Sequence, residues 1–160
     1  MRIILLGPPG SGKGWLSERI EKRLGLKHLA MGDILRDEIR KKTKIGRKIK
    51  KFIDKGDLVP NYIVDNILKN KIRKSKDFVL DGYPRHLDQA KYLDGVTKIN
   101  KIFLLKVPNN IILKRLNNRR VCECGEIYNL ITKKPKKDML CDKDNKKLYQ
   151  REDDKPKIVK

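Results

Sequence analysis

The chain has 160 residues, which favours one compact domain, and 38% of them are hydrophobic, which is enough to build a buried core. No apolar run approaches the ~20 residues of a membrane helix and the N-terminus lacks the features of a signal peptide, so we expect a cytoplasmic protein with no membrane span. The 41 lysines and arginines outnumber 20 aspartates and glutamates, and the net charge of +21 predicts attraction to polyanions such as nucleotides, nucleic acid or acidic lipid.

Two features of the composition leave alternatives open. Lysine, isoleucine and asparagine are frequent throughout the chain, so a general compositional bias accounts for the charge as well as a selected basic surface does. The three cysteines cannot form a closed set of disulfides. In a reducing compartment they are expected to be thiols or metal ligands.

Short apolar runs alternate with amphipathic segments along the chain. The runs predict strands at residues 2–6, 27–30, 78–80 and 101–107. Apolar residues at three- or four-residue spacing predict helices that begin after residue 13 and near residues 34, 45, 63, 86 and 109. Such alternation predicts an α/β fold in which helices flank a parallel sheet. Residues 121–148, rich in Cys, Gly, Pro and Lys, interrupt it and predict a small inserted module.

A glycine-rich segment joins the first predicted strand to the first predicted helix. Its sequence, Gly7-Pro8-Pro9-Gly10-Ser11-Gly12-Lys13, fits the first seven positions of the phosphate-binding loop pattern. Glycines allow backbone N–H groups to converge on phosphate oxygens, the helix N-terminus adds its dipole, and Lys13 supplies a mobile cation. The segment therefore predicts a site for nucleotide phosphates.

The residue after this segment bears on how Mg²⁺ is held. Gly14 stands where the general pattern has the serine or threonine that ligates the metal. The metal must then depend on carboxylates and waters. Asp81 ends the third predicted strand, at the carboxyl edge of the sheet beside the loop, and is the first candidate to bind Mg²⁺ through water. Asp33 is the second candidate.

Six segments together resemble adenylate kinases in order and spacing, and the resemblance extends from Met1 to about Lys160. They are Gly7–Gly14, Met31–Arg36, Gly56–Pro60, Asp81–Arg85, Asn118–Val121 and Tyr149–Asp154. The resemblance implies a three-layer P-loop fold with an inserted lid, and reversible in-line transfer of a phosphoryl group from Mg-ATP to AMP. The family has a five-stranded sheet. This chain, which stops at Lys160, is expected to have four strands and to lack the C-terminal strand and helix.

The resemblance also implies the site residues. For ATP they are Gly7, Gly10, Ser11, Gly12, Lys13, Gly14, Trp15, Arg115 and Arg119. For AMP they are Met31, Arg36, Asp57, Leu58, Val59, Gly82, Arg85 and Gln89, of which Gln89 falls where the family recognises the adenine. The catalytic cations are Lys13, Arg85, Arg119 and Arg151. Forked guanidinium groups suit the clamping of phosphate oxygens, in agreement with these assignments.

The resemblance divides the chain into a core of residues 1–29, 60–118 and 150–160, an AMP-binding insertion of residues 30–59 and a lid of residues 119–149. In the lid, Cys122, Cys124, Cys141 and Asp144 resemble the zinc ligands of some family members. Only one residue separates the first two cysteines, where two are usual. We expect a structural zinc ion, with unliganded thiols or another arrangement as the alternatives.

Two substitutions concern the choice of nucleotide. Trp15 and Met31 stand where the family usually has threonine. The indole is expected either to crowd the α-phosphate or to turn outward and pack. The alternatives to an adenylate kinase are a kinase for another nucleoside monophosphate, disfavoured by Gln89 and the long lid, and a catalytically impaired basic protein that binds nucleotides or RNA. We expect a monomer.

Overall fold

The computed structural model describes residues 1–55 and 57–154, which form two compact units divided between Lys106 and Val107. The described residues of the first unit contain four strands and five helices. The strands are β1 (Arg2–Leu6), β2 (Lys27–Ala30), β3 (Phe78–Asp81) and β4 (Lys101–Leu104). The helices are α1 (Lys13–Leu24), α2 (Met31–Arg40), α3 (Lys44–Ile53), α4 (Asn61–Arg73) and α5 (Leu87–Val96).

The four strands form one parallel sheet in the order β2-β3-β1-β4. Strand β1 pairs with β3 on one side and β4 on the other, which places Leu5 beside both Asp81 and Phe103. The predicted fold class, an α/β fold with a parallel four-stranded sheet flanked by helices, is confirmed. Strand β4 ends at Leu104 rather than at the predicted residue 107, because its partner β1 ends at Leu6, where the glycine-rich loop begins.

Helices cover both faces of the sheet because both faces are apolar. Along β1 the side chains alternate: Ile3 and Leu5 pack with Leu16 and Ile20 of α1, whereas Ile4 belongs to the larger core on the opposite face. The near-continuous apolar runs of β1 and β3 follow from this burial on both sides, whereas all four residues of β4 are exposed. None of the helices that the structure describes combines the length and apolar character needed to cross a bilayer.

Helices α2 and α3 approach each other closely at a glycine. Thr43 is the N-cap of α3: its Oγ1 accepts a hydrogen bond from the Gly46 N–H at 2.8 Å, and its hydroxyl donates to the Glu38 carboxylate at 2.8 Å. Gly46 is buried, and a Cβ added there would lie 2.0 Å from the backbone oxygen of Glu38. The close contact between the two backbones therefore requires glycine at position 46.

The second unit contains α6 (Asn109–Asn117), the antiparallel strands β5 (Arg119–Val121) and β6 (Ile127–Asn129), and a 3₁₀ turn at Glu152–Asp154. A small core is formed by Cys122, Tyr128, Cys141 and Leu148. The division into a core (1–29, 60–118, 150–160), an AMP-binding insertion (30–59) and a lid (119–149) stays a prediction, and residues 56 and 155–160 of it lie outside the described residues.

Replacing Gly46 by alanine is expected to destabilise the protein by about 3 kcal/mol, because the new methyl group would collide with backbone atoms of α2. Urea denaturation of the full chain measures this loss. Gly95→Ala is the matched control, since nothing lies within 4 Å of a Cβ added there in α5, and it should be neutral or slightly stabilising. Equal stability of the two variants would contradict the close packing of α2 against α3.

Candidate active site and metal centre

The glycine-rich loop connects the end of β1 to the start of α1. Gly10 and Gly12 have φ angles of 77° and 100°, in the left-handed region that favours glycine. The Ser11 N–H donates to the carbonyl oxygen of Pro8 at 3.2 Å and closes a turn. Gly12 holds the N-cap position, has no side chain to cap the helix, and is followed by a first turn without an acidic residue. The N-terminus of α1 is thus built to meet an anion.

Lys13 brings a positive charge onto this loop. Its Nζ donates to the carbonyl oxygens of Gly7 at 2.8 Å and Pro8 at 3.0 Å. These bonds hold the ammonium group at the turn itself rather than in solvent. The loop therefore combines backbone amides, the helix dipole and a cation, the three elements that the sequence predicts for phosphate binding.

Of the two candidate magnesium carboxylates, Asp81 is the one that the structure places beside the helix following this loop. It is largely buried at the end of β3, and its Oδ2 lies 3.9 Å from Nε2 of His28. A Cβ added at Gly14 would lie 3.8 Å from the same oxygen, so the carboxylate faces the first turn of α1. Asp33, in contrast, is half-exposed and forms an ion pair with Arg36 at 2.6 Å. Asp81 fits the role of a carboxylate that holds Mg²⁺ through water, and Asp33 fits it less well.

Trp15 turns outward. Its side chain is 61% exposed, and the guanidinium carbon of Arg19 lies 4.3 Å from the centre of the indole ring. This cation–π contact gives the ring a partner on its own helix. Of the two predicted placements, the structure has the one in which the indole packs outward.

The predicted AMP residues on α2 and after α3 differ in exposure. Met31 is 1% exposed and Val59 is buried, and both side chains belong to the main core. Leu58 is 64% exposed, and Asp57 is exposed as well. Met31 therefore contributes to packing, while Asp57 and Leu58 are exposed to solvent.

The segment Asp81–Arg85 is held by a hydrogen-bond network. Arg85 Nε donates to the Gly82 carbonyl at 3.1 Å, and the Arg85 backbone N–H donates to Oε1 of Gln89 at 2.8 Å. Gln89 is 4% exposed, and its Nε2 donates to Oδ1 of Asn61 at 3.1 Å. The same Asn61 oxygen lies 2.8 Å from Nε2 of His86. The Gln89 side chain thus fixes the backbone of Arg85 by accepting a hydrogen bond from the Arg85 N–H.

Sequence reasoning missed Asn61 and the pair of Tyr83 and Asp65. The Tyr83 hydroxyl donates to Oδ1 of Asp65 at 2.6 Å. Burial, reinforced by the Asp65 carboxylate, raises the pKa of Tyr83 above its ordinary value, so the hydroxyl remains a donor. The only local signal for Asn61 is its position directly after Pro60, at the first residue of α4.

The predicted cations of the second unit lie around β5 and the 3₁₀ turn. Arg119 makes a two-pronged ion pair with Asp154, in which Nε donates to Oδ2 at 2.7 Å and a terminal nitrogen contacts Oδ1. Asp154 is 1% exposed, so the pair fixes the Arg119 guanidinium. Arg115, on α6, is exposed, and its carbonyl accepts a hydrogen bond from Asn129 at 3.1 Å. Arg151 directly precedes the turn and is partly buried.

The three cysteines and Asp144 converge. Four ligand atoms, one from each of Cys122, Cys124, Cys141 and Asp144, lie within 4.8 Å of one another. The sulfurs of Cys124 and Cys141 are 3.6 Å apart, and the Cys122 sulfur lies 3.2 Å from Oδ1 of Asp144. A tetrahedral zinc ion with Zn–S bonds of ~2.3 Å separates two sulfurs by about 3.8 Å. The spacing of one residue between the first two cysteines is therefore compatible with a four-ligand site.

The electrostatics of this cluster differ between its two buried thiols. Burial raises the pKa of Cys122 to about 12, so a metal ion must displace its proton. Burial also acts to raise the pKa of Cys141, but the backbone N–H of Lys143, 3.4 Å from its sulfur, and other donors outweigh it and lower that pKa. Of the two buried thiols, Cys141 is thus the one that its surroundings prepare better as a thiolate ligand.

Replacing Asp154 by asparagine is expected to cost about 3 kcal/mol of stability, because it leaves the Arg119 guanidinium partly buried without its countercharge. Urea denaturation followed by tyrosine fluorescence measures the loss. Asp138→Asn, at an exposed position of the same unit, is the control and should change stability by less than about 0.5 kcal/mol. If both variants were equally stable, the ion pair would have no structural importance.

Comparison with known proteins agrees with this geometry. The family model described as adenylate kinase matches residues 5–160. The adenylate kinase of Kosmotoga olearia is 44% identical over all of this chain, which spans 79% of that protein, and that of Petrotoga mobilis is 44% identical over all of the chain, which spans 77% of it. The adenylate kinase of Thermotoga maritima is 42% identical over 99% of the chain. This chain, with its phosphate-binding loop at the end of a central parallel strand, belongs to the adenylate kinase family.

Proposed function

We propose that this chain catalyses the adenylate kinase reaction, in which a phosphoryl group passes reversibly from Mg-ATP to AMP and two ADP molecules form, and that residues 7–13 hold the ATP phosphates. The observation that carries the proposal is the loop at the N-terminus of α1, where Lys13 Nζ lies within 3.0 Å of two loop carbonyls. Membership of the family supports the same reaction.

Phosphoryl transfer requires alignment and charge stabilisation rather than a covalent protein intermediate. We assign these tasks to the four cations Lys13, Arg85, Arg119 and Arg151. Arg85 supports the assignment, because Nε is anchored to the Gly82 carbonyl while its terminal nitrogens form no ion pair with any carboxylate of residues 1–55 and 57–154. An anchored guanidinium with open donors can bind phosphate oxygens without a large loss of side-chain entropy.

Magnesium is required by the family reaction, and Asp81 is the residue that we assign to it. Its carboxylate faces the first turn of α1 next to Gly14. The bound ion would neutralise charge on the transferring phosphates. Asp81 would hold it through water, since Mg²⁺ keeps several waters of its shell in most protein sites.

For AMP we assign Arg36 and Arg85 to the phosphate and residues 57–59 with Gln89 to the base. Arg36 is paired with the half-exposed Asp33. Exposed pairs of this kind contribute little, so an AMP phosphate can replace the carboxylate at small cost. Gln89 lies in the network that fixes Arg85, which links recognition of the base to the position of a catalytic cation.

Arg85→Ala is expected to lower kcat/KM for ADP formation by about 10²–10³, because it removes a cation that acts on the transferring phosphate. A coupled assay with ATP and AMP measures the rate. Lys91→Ala, at an exposed position on α5, is the control and should keep full activity. Unchanged activity of Arg85→Ala would remove Arg85 from the mechanism.

A comparison of nucleoside monophosphates as phosphoryl acceptors tests the proposal that AMP is the substrate. We expect AMP to exceed UMP, CMP and GMP by at least about tenfold in kcat/KM, because a site that hydrogen-bonds one base leaves its buried polar groups unpaired with another. The relatives compared above are named adenylate kinases. Their names therefore favour neither a kinase for another nucleoside monophosphate nor a protein that only binds nucleotides or RNA. A higher rate with any other monophosphate would overturn the choice of substrate.

We further propose that Cys122, Cys124, Cys141 and Asp144 bind one structural zinc ion. Support comes from the convergence of the four ligand atoms and from the small size of the surrounding core. Four protein ligands leave no open position for substrate, so the role would be to stabilise the second unit. Cysteines used in this way suit a reducing compartment, and we propose the cytoplasm as the location and a monomer as the active form.

Metal analysis of the purified chain is expected to find one zinc ion per molecule, and its removal by a chelator should lower the thermal midpoint by about 5 °C or more. Cys124→Ser is the informative variant because this thiol is exposed, so the change should weaken zinc binding without disturbing the core. Asp142→Ala, next to Cys141 but outside the ligand set, should keep the metal. Full zinc affinity in Cys124→Ser would reject the site.

A further inference from the structure

A basic groove lies where strands β1 and β3 begin, at the opposite ends of these strands from the phosphate-binding loop. It has a volume of about 690 Å³ and lies where β1 begins, before β3 and after α5. The loop follows the other end of β1, which is five residues or roughly 16 Å long. The groove is lined by Arg2, Lys69, Ile72, Arg73, Lys74, Ser75, Lys76, Gly95, Val96 and Thr97.

Basic residues make up a larger share of the residues that line this groove than of the whole chain. Five of its ten lining residues are basic, against 41 of 160 in the whole chain, and no lining residue among the described ones is acidic. None of the five cations forms an ion pair with a described carboxylate; the nearby Asp77 instead pairs with the N-terminal ammonium. A concave surface of one charge sign focuses the electrostatic potential and attracts counter-ions.

One buried hydroxyl beside the groove has no partner. Thr97 is 8% exposed, and its Oγ1 is screened from solvent and makes no hydrogen bond within the described structure, so a ligand reaches this oxygen only when the side chain rotates toward the groove. An unsatisfied buried hydroxyl costs free energy unless a ligand or water supplies a partner. Cations at the end of α4, such as Arg73, also suit the helix dipole, but that effect explains neither Arg2 and Lys76 nor the Thr97 hydroxyl.

We propose that this groove is a second binding site, for a small ligand that carries several linked phosphate groups. Its volume lies in the range of ~300–1,000 Å³ that small-molecule sites occupy. Several cations that line one groove without countercharges suit a multiply charged anion better than a singly charged one. The lining contains no aromatic side chain on which a base could stack, so the phosphates rather than a nucleobase would be recognised.

The test is an NMR titration of the ¹⁵N-labelled chain with inorganic tripolyphosphate. The amides of Gly95, Val96 and Thr97 should shift and saturate, together with a separate set in residues 7–12. In Arg73→Glu/Lys74→Glu/Lys76→Glu the groove affinity should fall by about tenfold or more while binding at the loop persists. The control Lys134→Glu/Lys136→Glu/Lys137→Glu makes the same charge change at exposed positions of the second unit and should alter groove affinity by less than about twofold.

The variant Thr97→Val distinguishes a specific binding site from nonspecific electrostatic attraction, because it leaves the charge of the groove unchanged. It removes Oγ1 with little change in size, and it should weaken binding at the groove by about threefold without loss of stability. Shifts confined to residues 7–12, equal effects of the two charge reversals, or equal affinity for sulfate at the same ionic strength would each overturn the proposal. Shifts of the groove amides by an oligouridylate but not by tripolyphosphate would also overturn it, in favour of a nucleic-acid surface.

Discussion

The parallel pairing of β1 with β3 determines where the chemistry can take place. The register sets Leu5 beside Asp81, so the strand that leads into the glycine-rich loop and the strand that ends in a carboxylate finish at the same edge. Because β1 is buried on both faces by apolar side chains, this register cannot slip without exposing core residues. The register of the sheet thus brings Asp81 to the edge at which the loop and the start of α1 lie.

Arg85, a side chain of the first unit that we assign to catalysis, is supported by residues to which we assign no part in phosphate chemistry. Arg85 is held by Gly82 and Gln89, and Gln89 is in turn held by Asn61 at the start of α4. A cation that must meet a transferring phosphate benefits from such preorganisation, since less entropy is lost when the substrates bind. The fold supplies it through α4 and α5, which pack on the same face of the sheet.

The second unit is built on a different physical basis. Its core consists of four buried residues, two of them cysteines, and its strands have three residues each. Such a small apolar core gives little stability by burial alone. The ion pair between Arg119 and the buried Asp154 adds one cross-link that the core lacks. The zinc ion that we propose for the four ligand atoms within 4.8 Å of one another would add a second. The same ion pair fixes a cation that we assign to catalysis.

Local sequence patterns were sufficient for the fold class and the loop, whereas the proposed metal ligands came from the family resemblance. Apolar runs identify the buried strands, and glycines followed by Lys13 identify the phosphate loop, because both depend on neighbouring residues only. Tertiary structure alone decided that Met31 is a core residue, that Asn61 anchors Gln89 and that Asp154 pairs with Arg119. The last two contacts join residues 28 and 35 positions apart, and no local pattern encodes partners that meet only after the chain has folded.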